Sequence, residues 1–306
     1  MNKYIVTTTI NKPTLALKKY SKMKDWKLIV VLDKKTPKFS LNNAIILTCE
    51  DQEKISKKLS NLIGWNCIQR RNFGFLKALE LGAEIVATID DDNIPLNNWG
   101  RDLSLLFKKK IINKYFCKDY FDPIFVTNHA NLWHRGFPIQ LINKRKILKV
   151  EKRKEIFDIK ADFWNGDPDI DSICRMQFAP ECNFNQRYFP FYSNKISPFN
   201  SQNTFLKAKI LKDYFLFPNI GRMDDIWGSY YLQSLGYKVC YDGPSVYQKR
   251  NPHNLTHDFN NEIIGYQNSL DLLYEIQKSP DNISKFVPYK SMKAYDLYRK
   301  LIDLKK

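Results

Sequence analysis

Histidine is scarce in this chain, cysteine is scattered and acidic residues are in deficit, and each shortage removes a class of function. Only four His occur in 306 residues, and the six Cys, at positions 49, 67, 117, 174, 182 and 240, form no CxxC pair. Zinc sites and disulfide frameworks need clustered ligands at short spacing, so neither is indicated. No apolar run approaches the roughly eighteen residues that span a bilayer, and residues 1–13 lack the apolar stretch of a signal peptide. A soluble, cytoplasmic protein is expected. Against 49 Lys and Arg stand 32 Asp and Glu, for a formal net charge of +17. There is no zinc-finger spacing, basic zipper or RNP motif, so nucleic acid is not an expected partner. The excess charge suits an anionic substrate or a peripheral contact with the inner face of an anionic membrane. Lys that simply solvates the surface is the expected source of most of it.

What the chain does have is a strand that ends in carboxylates. Residues 85–95 read IVATIDDDNIP. An apolar, β-branched run after a helix stop at Leu81-Gly82-Ala83 predicts a buried central strand of a parallel sheet. Asp90, Asp91 and Asp92 then fall beyond its carboxyl end, where open α/β sheets bind ligands. Three adjacent Asp repel one another, and a hard divalent cation, Mg²⁺ or Mn²⁺, is the simplest group to share the site. A solvated acidic turn is the competing account.

Upstream, residues 4–9 and 27–32 predict two further strands, 44–48 a third, and about 52–62 a helix. The alternation predicts βαβ units under a mainly parallel sheet. Thr8, Thr9 and Asp33 then share the rim with the acidic triplet, a place for a nucleotide. Arg70 and Arg71, ahead of an amphipathic helix with Asn72 as its N-cap, are candidate diphosphate clamps. A helix is expected over 99–110 and a solvated excursion over 144–160. Asp167, Asp169 and Asp171 would face one way if extended, holding a second cation or sugar hydroxyls. The alternatives are an ion pair with Arg175 and a helix cap. The amides and hydroxyls of 198–204, Asn203 among them, are groups that read sugar or nucleotide edges. Asp224 and Asp225 open a helix, with Trp227 as a candidate aromatic platform beside a general base.

Taken in order, residues 70–76, 88–92, 135–138, 167–171, 198–204 and 221–227, extended by Gln248 and 250–253, resemble the STELLO-type glycosyltransferases. Thr88-Ile89 with the Asp triplet, Arg135-Gly136-Phe137-Pro138 and residues 221–227 are also similar to the reversibly glycosylated polypeptides, which are UDP-arabinopyranose mutases. The resemblance implies an α/β, GT-A-like fold with a mostly parallel central sheet flanked by helices. It would form one domain over 1–306: a nucleotide-sugar half (1–98), an acceptor half (99–257) and a mainly helical tail (258–306).

The implied activity is metal-dependent transfer from a UDP-sugar to a carbohydrate or glycoconjugate hydroxyl, in surface glycan or polysaccharide synthesis. Asp90 and Asp92 would hold Mn²⁺ or Mg²⁺, with His253 completing the shell. Asp91 would contact ribose or orient its neighbours, and Asp224 or Asp225 would be the base. No membrane anchor is read in this sequence, so Golgi residence is not carried over. In the mutase alternative Arg135 becomes the glycosylated residue, which requires a normally protonated guanidinium to act as a nucleophile. As a phosphate or carboxylate clamp Arg135 needs no such activation. A non-catalytic nucleotide-sugar-binding protein is the alternative of another class.

Overall fold

The computed structural model describes residues 1–250 and 254–304. Among the described residues eleven strands join in one sheet: β1 (Lys3–Thr9), β2 (Lys27–Leu32), β3 (Ala44–Leu47), β4 (Ile85–Ile89), β5 (Asn93–Pro95), β6 (Lys110–Cys117), β7 (Ile147–Glu155), β8 (Ile159–Gly166), β9 (Phe191–Ser193), β10 (Asn203–Lys207) and β11 (Val239–Gln248). Their order is β3-β2-β1-β4-β10-β8-β11-β9-β6-β7, with β5 on β11. The first four run parallel. β10 lies antiparallel between β4 and β8, so the sheet is continuous across residue 98. The helices are α1 (Leu15–Tyr20), α2 (Cys49–Ile63), α3 (Arg71–Glu80), α4 (Ser104–Phe107), α5 (Ser172–Phe178), α6 (Asp224–Ser234), α7 (Leu255–Lys278) and α8 (Tyr289–Asp303).

The class is the expected α/β, and its parallel character is concentrated in the half that carries the acidic triplet. β1 pairs with β2 on one side and β4 on the other, so the strand order reverses between β1 and β4. Crossover connections leave opposite faces there and open a crevice at the carboxyl ends. All five residues of β4 are buried, which is why it reads as a continuous apolar run. α3 packs tightly on this sheet through Gly74, where a β-carbon would meet Val6 Cγ1 at 2.3 Å. That approach fixes Arg71, at the start of α3, over the crevice.

Several expectations need correction. Asn72 does not cap α3; it lies inside the helix, and its amide exchanges hydrogen bonds with the backbone of Leu216. Within residues 99–110 the only helix is the short α4: Gly100 turns the chain at φ +63°, and Lys110 already begins β6. The expected excursion over 144–160 is instead β7 and the start of β8. Among the described residues no helix is long and apolar enough to cross a membrane.

Candidate active site

At the β1/β4 crevice lies a cavity of about 310 Å³ lined by Thr8, Thr9, Asp33, Asn66, Cys67, Ile68, Arg71 and Asp90 to Asp92, among others. Each member of the triplet has a different environment. Asp90 is paired with Arg71 at 2.7 Å. Asp91 accepts from Thr9 Oγ1 and, at 3.2 Å, from Asn11 Nδ2. Burial raises the Asp91 carboxyl. Asp92 is raised further, to about 7, by burial and then by the charges of Asp90 and Asp91. Its Oδ1 is buried without a hydrogen-bond partner.

These environments refine the electrostatic argument. Part of the cation demanded by three adjacent Asp is Arg71, which also reaches Thr8 and the backbone and hydroxyl of Ser201. At Asp92 the charge of Arg250 offsets burial and the neighbouring carboxylates only in part. An orphaned, buried carboxylate oxygen is a group that a divalent ion would satisfy. Among the described residues no three His, Cys, Asp or Glu side chains converge into a ready-made metal cluster. The donor set therefore fits an ion bridged by one or two carboxylates to substrate phosphates. His253 lies outside the described residues.

Arg70 and Asn203 are occupied elsewhere. Fully buried, Arg70 donates to Gln52 Oε1 at 2.7 Å and Ser60 Oγ at 3.0 Å, with the Trp65 ring 3.6 Å from its guanidinium carbon. It fastens α2 to α3, so of the two arginines Arg71 is the one that lines the crevice. Asn203 accepts from Trp99 Nε1 and donates to Phe163 O and Ser245 Oγ, each at 3.0 Å, inside the sheet. Asp33 lines the cavity, but its two oxygens accept from the backbone of Lys34 and Cys67, tying the end of β2 to the loop before α3.

A second cavity, of about 140 Å³, adjoins the first and shares Ile68 and Asp90 with it. Its other walls include Arg135, Asp169, Gln202, Arg222, Asp224, Asp225 and Arg250. Arg135 has all five N–H groups engaged. It makes paired bonds to Asp169 (2.8 and 3.0 Å) and Asp225 (3.1 and 3.3 Å) and one to the backbone of Arg222. Burial alone would lower its pKa, but the two carboxylates override that and hold it well above the usual arginine value. A guanidinium so held has no free lone pair, so the nucleophile required by the mutase alternative does not fit this geometry. Arg135 is a carboxylate clamp whose carboxylates belong to the protein itself.

That clamp separates two neighbouring acids. Burial would raise Asp225, but Arg135 outweighs it and depresses the carboxyl. Burial, then the charge of Asp225, pushes Asp224 up to about 7. Gln69 Nε2 donates to Asp224 Oδ2 at 2.8 Å. A carboxylate titrating near neutrality at a cavity wall is suited to accept a proton. Trp227 offers no platform: it is buried in the core and donates to Ser269 at 3.1 Å.

The three alternating Asp do not face one way. Asp167 pairs with Arg175, Asp169 holds Arg135 and accepts from Asn200, and Asp171 caps α5 while accepting from Trp133. The ion-pair and cap alternatives are the ones observed. Sequence reasoning missed Ile68 and Gln69, which flank the conspicuous Arg pair, and gave Arg222 and Arg250 no role.

No family model matches the chain. It is 25% identical over 283 residues to "Probable glycosyltransferase STELLO2" of Arabidopsis thaliana, and 24% identical over 279 residues to "Probable glycosyltransferase STELLO1" of the same plant. Each match covers 80% of this chain and 35% of the relative, so the chain spans about a third of the length of these relatives. The comparison supports a STELLO-type family for this chain, the one that the order of its motifs resembles.

Proposed function

We infer that the chain is a metal-dependent glycosyltransferase that takes a UDP-sugar in the β1/β4 crevice and passes the sugar to a carbohydrate or glycoconjugate hydroxyl beside Asp224. The observation that carries this reading is the meeting of two differently equipped cavities at Ile68 and Asp90. The larger has a cation and an unsatisfied carboxylate at a nucleotide-type switch point. The smaller has a carboxylate raised into the working range of a general base. The names of the two similar plant proteins agree with transfer at this general level.

In the proposed reaction the acceptor hydroxyl oxygen attacks the anomeric carbon as its proton passes to Asp224. The bond from that carbon to the diphosphate oxygen breaks, and its electron pair leaves with UDP. Attack opposite the leaving group inverts the anomeric centre. Arg71 offsets charge developing on the diphosphate, and Arg135 keeps Asp225 ionised, which pushes the remaining proton of the pair onto Asp224. A divalent ion held by Asp92 and Asp90 would add Lewis-acid stabilisation of the departing phosphate. Surface glycan or polysaccharide synthesis is the setting proposed for this transfer.

Calorimetric titration of UDP into the chain with Mn²⁺, repeated in EDTA and with Asp90→Ala/Asp92→Ala, tests the donor half. Binding that needs both metal and carboxylates is expected. Equal affinity in all three titrations would remove the metal site, and no affinity in any would remove UDP.

A further inference from the structure

Away from both cavities, the sheet ends in a two-stranded ribbon, β6 and β7, with β7 as its free edge. Residues 108–118 and 144–155, the strands with their flanks, hold twelve Lys or Arg and two Glu, a net +10 of the chain's +17. The excess charge is therefore concentrated on one element. Of the twelve, Arg145 turns inward onto Asp122 at 2.7 Å. Glu151 sits between Lys149 and Arg153, which leaves Lys152 and Lys154 in excess along the edge.

The same ribbon exposes aliphatic side chains. Ile111 is 66% exposed, Leu148 59% and Val150 48%. The register sets Ile111 opposite Lys154, Asn113 opposite Lys152 and Tyr115 opposite Val150. Facing residues of an antiparallel pair share a side, as do residues two apart along one strand. Ile111, Val150, Lys152 and Lys154 thus belong to one face, and Leu148 adjoins it at the bulge where the register shifts between Phe116 and Cys117. Charge alone would suffice to guard an edge strand against pairing with another chain; exposed aliphatics work against that purpose. A nucleic-acid partner would call for aromatic or Arg planes on which bases stack; on this face the exposed apolar groups are aliphatic, and the exposed Arg153 lies on the opposite side, paired with Glu151. Aliphatic side chains beside long lysines suit the boundary of a bilayer, with ammonium groups reaching lipid phosphates.

We propose that the β6–β7 ribbon is a docking surface for an anionic lipid bilayer, entering the headgroup boundary through Ile111, Leu148 and Val150 and held by the lysines around them. The sugar-transfer site would then work close to a membrane without a spanning helix in the described residues. The proposal is independent of the transfer reaction.

The test is co-sedimentation of the full chain with vesicles of phosphatidylcholine alone or with about a third phosphatidylglycerol, over a range of salt. Binding confined to the anionic vesicles and weakened by salt is expected. Lys152→Glu/Lys154→Glu should lower it about fivefold or more, and Ile111→Ser/Leu148→Ser/Val150→Ser about threefold or more. Reversing two exposed lysines elsewhere, Lys57→Glu/Lys58→Glu, should change it less than about twofold. Unchanged unfolding temperatures would show that all variants fold. Undiminished binding by either ribbon variant, an equal loss in the control, or equal binding to neutral vesicles overturns the proposal. So does ribbon-dependent retention of RNA or an acidic polypeptide without vesicle binding.

Discussion

Asp224 and Asp225 occupy consecutive positions in one buried turn, yet their carboxyls shift in opposite directions because only Asp225 reaches Arg135. The shift of Asp224 to about 7 has a definite sign for stability. Between about pH 4 and 7 the folded chain binds the Asp224 proton more tightly than the unfolded chain does, so this group's contribution falls as pH rises through that window and levels off above it. Asp224→Asn should match the parent near pH 4 and exceed it by about 1–3 kcal/mol at pH 8, read from denaturant unfolding as a difference curve so that Asp92, shifted the same way, cancels. Activity should run oppositely. In the proposed role of base Asp224 must be deprotonated, so kcat/KM of the parent should rise with pH and plateau above about 7, with the variant down about 10²–10⁴-fold. A variant that keeps both the limb and the rate would assign the base elsewhere.

Elements were legible in the sequence wherever burial imposed a pattern. β1, β2 and β4 are covered on both faces and read as apolar runs, while β7, an edge strand with charges at most positions, read as a solvated loop. The turn into α6 shows what pattern cannot reveal. Gly221 has φ +58°, and a β-carbon there would come within 1.9 Å of the carbonyl oxygen of Asn261 on α7. It lets the backbone that carries Arg222 and Asp224 lie directly on α7, where Arg222 pairs with Glu262 at 2.8 Å. Gly221→Ala should cost about 2–4 kcal/mol in denaturant unfolding, combining φ strain with displacement of α7. Gly236→Ala, at φ +91° with nothing within 4 Å, isolates the strain and should cost only about 1 kcal/mol. Equal losses in the two variants would mean that contact with α7 contributes nothing.

At the scale of the molecule, the convergence of the strand-end residues on one rim was legible because βαβ topology brings the carboxyl ends of neighbouring strands together whatever the distance in sequence. Thr8, Thr9, Asp33 and Asp90 to Asp92 line one cavity for that reason. The second cavity was less legible, since Arg135 meets carboxylates 34 and 90 positions away and no local spacing encodes those pairs. Ile68 was missed because an aliphatic residue beside two arginines carries no chemical signal, yet it walls both cavities. If sugar passes between them, bulk at this point should uncouple binding from transfer. Ile68→Trp is expected to leave UDP affinity within a few-fold while lowering the rate of sugar transfer about 10²-fold, since a displacement near 1 Å at a reacting centre has about that effect. The comparison is the calorimetric Kd for UDP against kcat/KM for transfer in the same variant. Proportional losses in both would confine Ile68 to shaping the nucleotide pocket. An unchanged transfer rate would mean that the acceptor approaches by another route, and that the junction of the two cavities is not the path of the sugar.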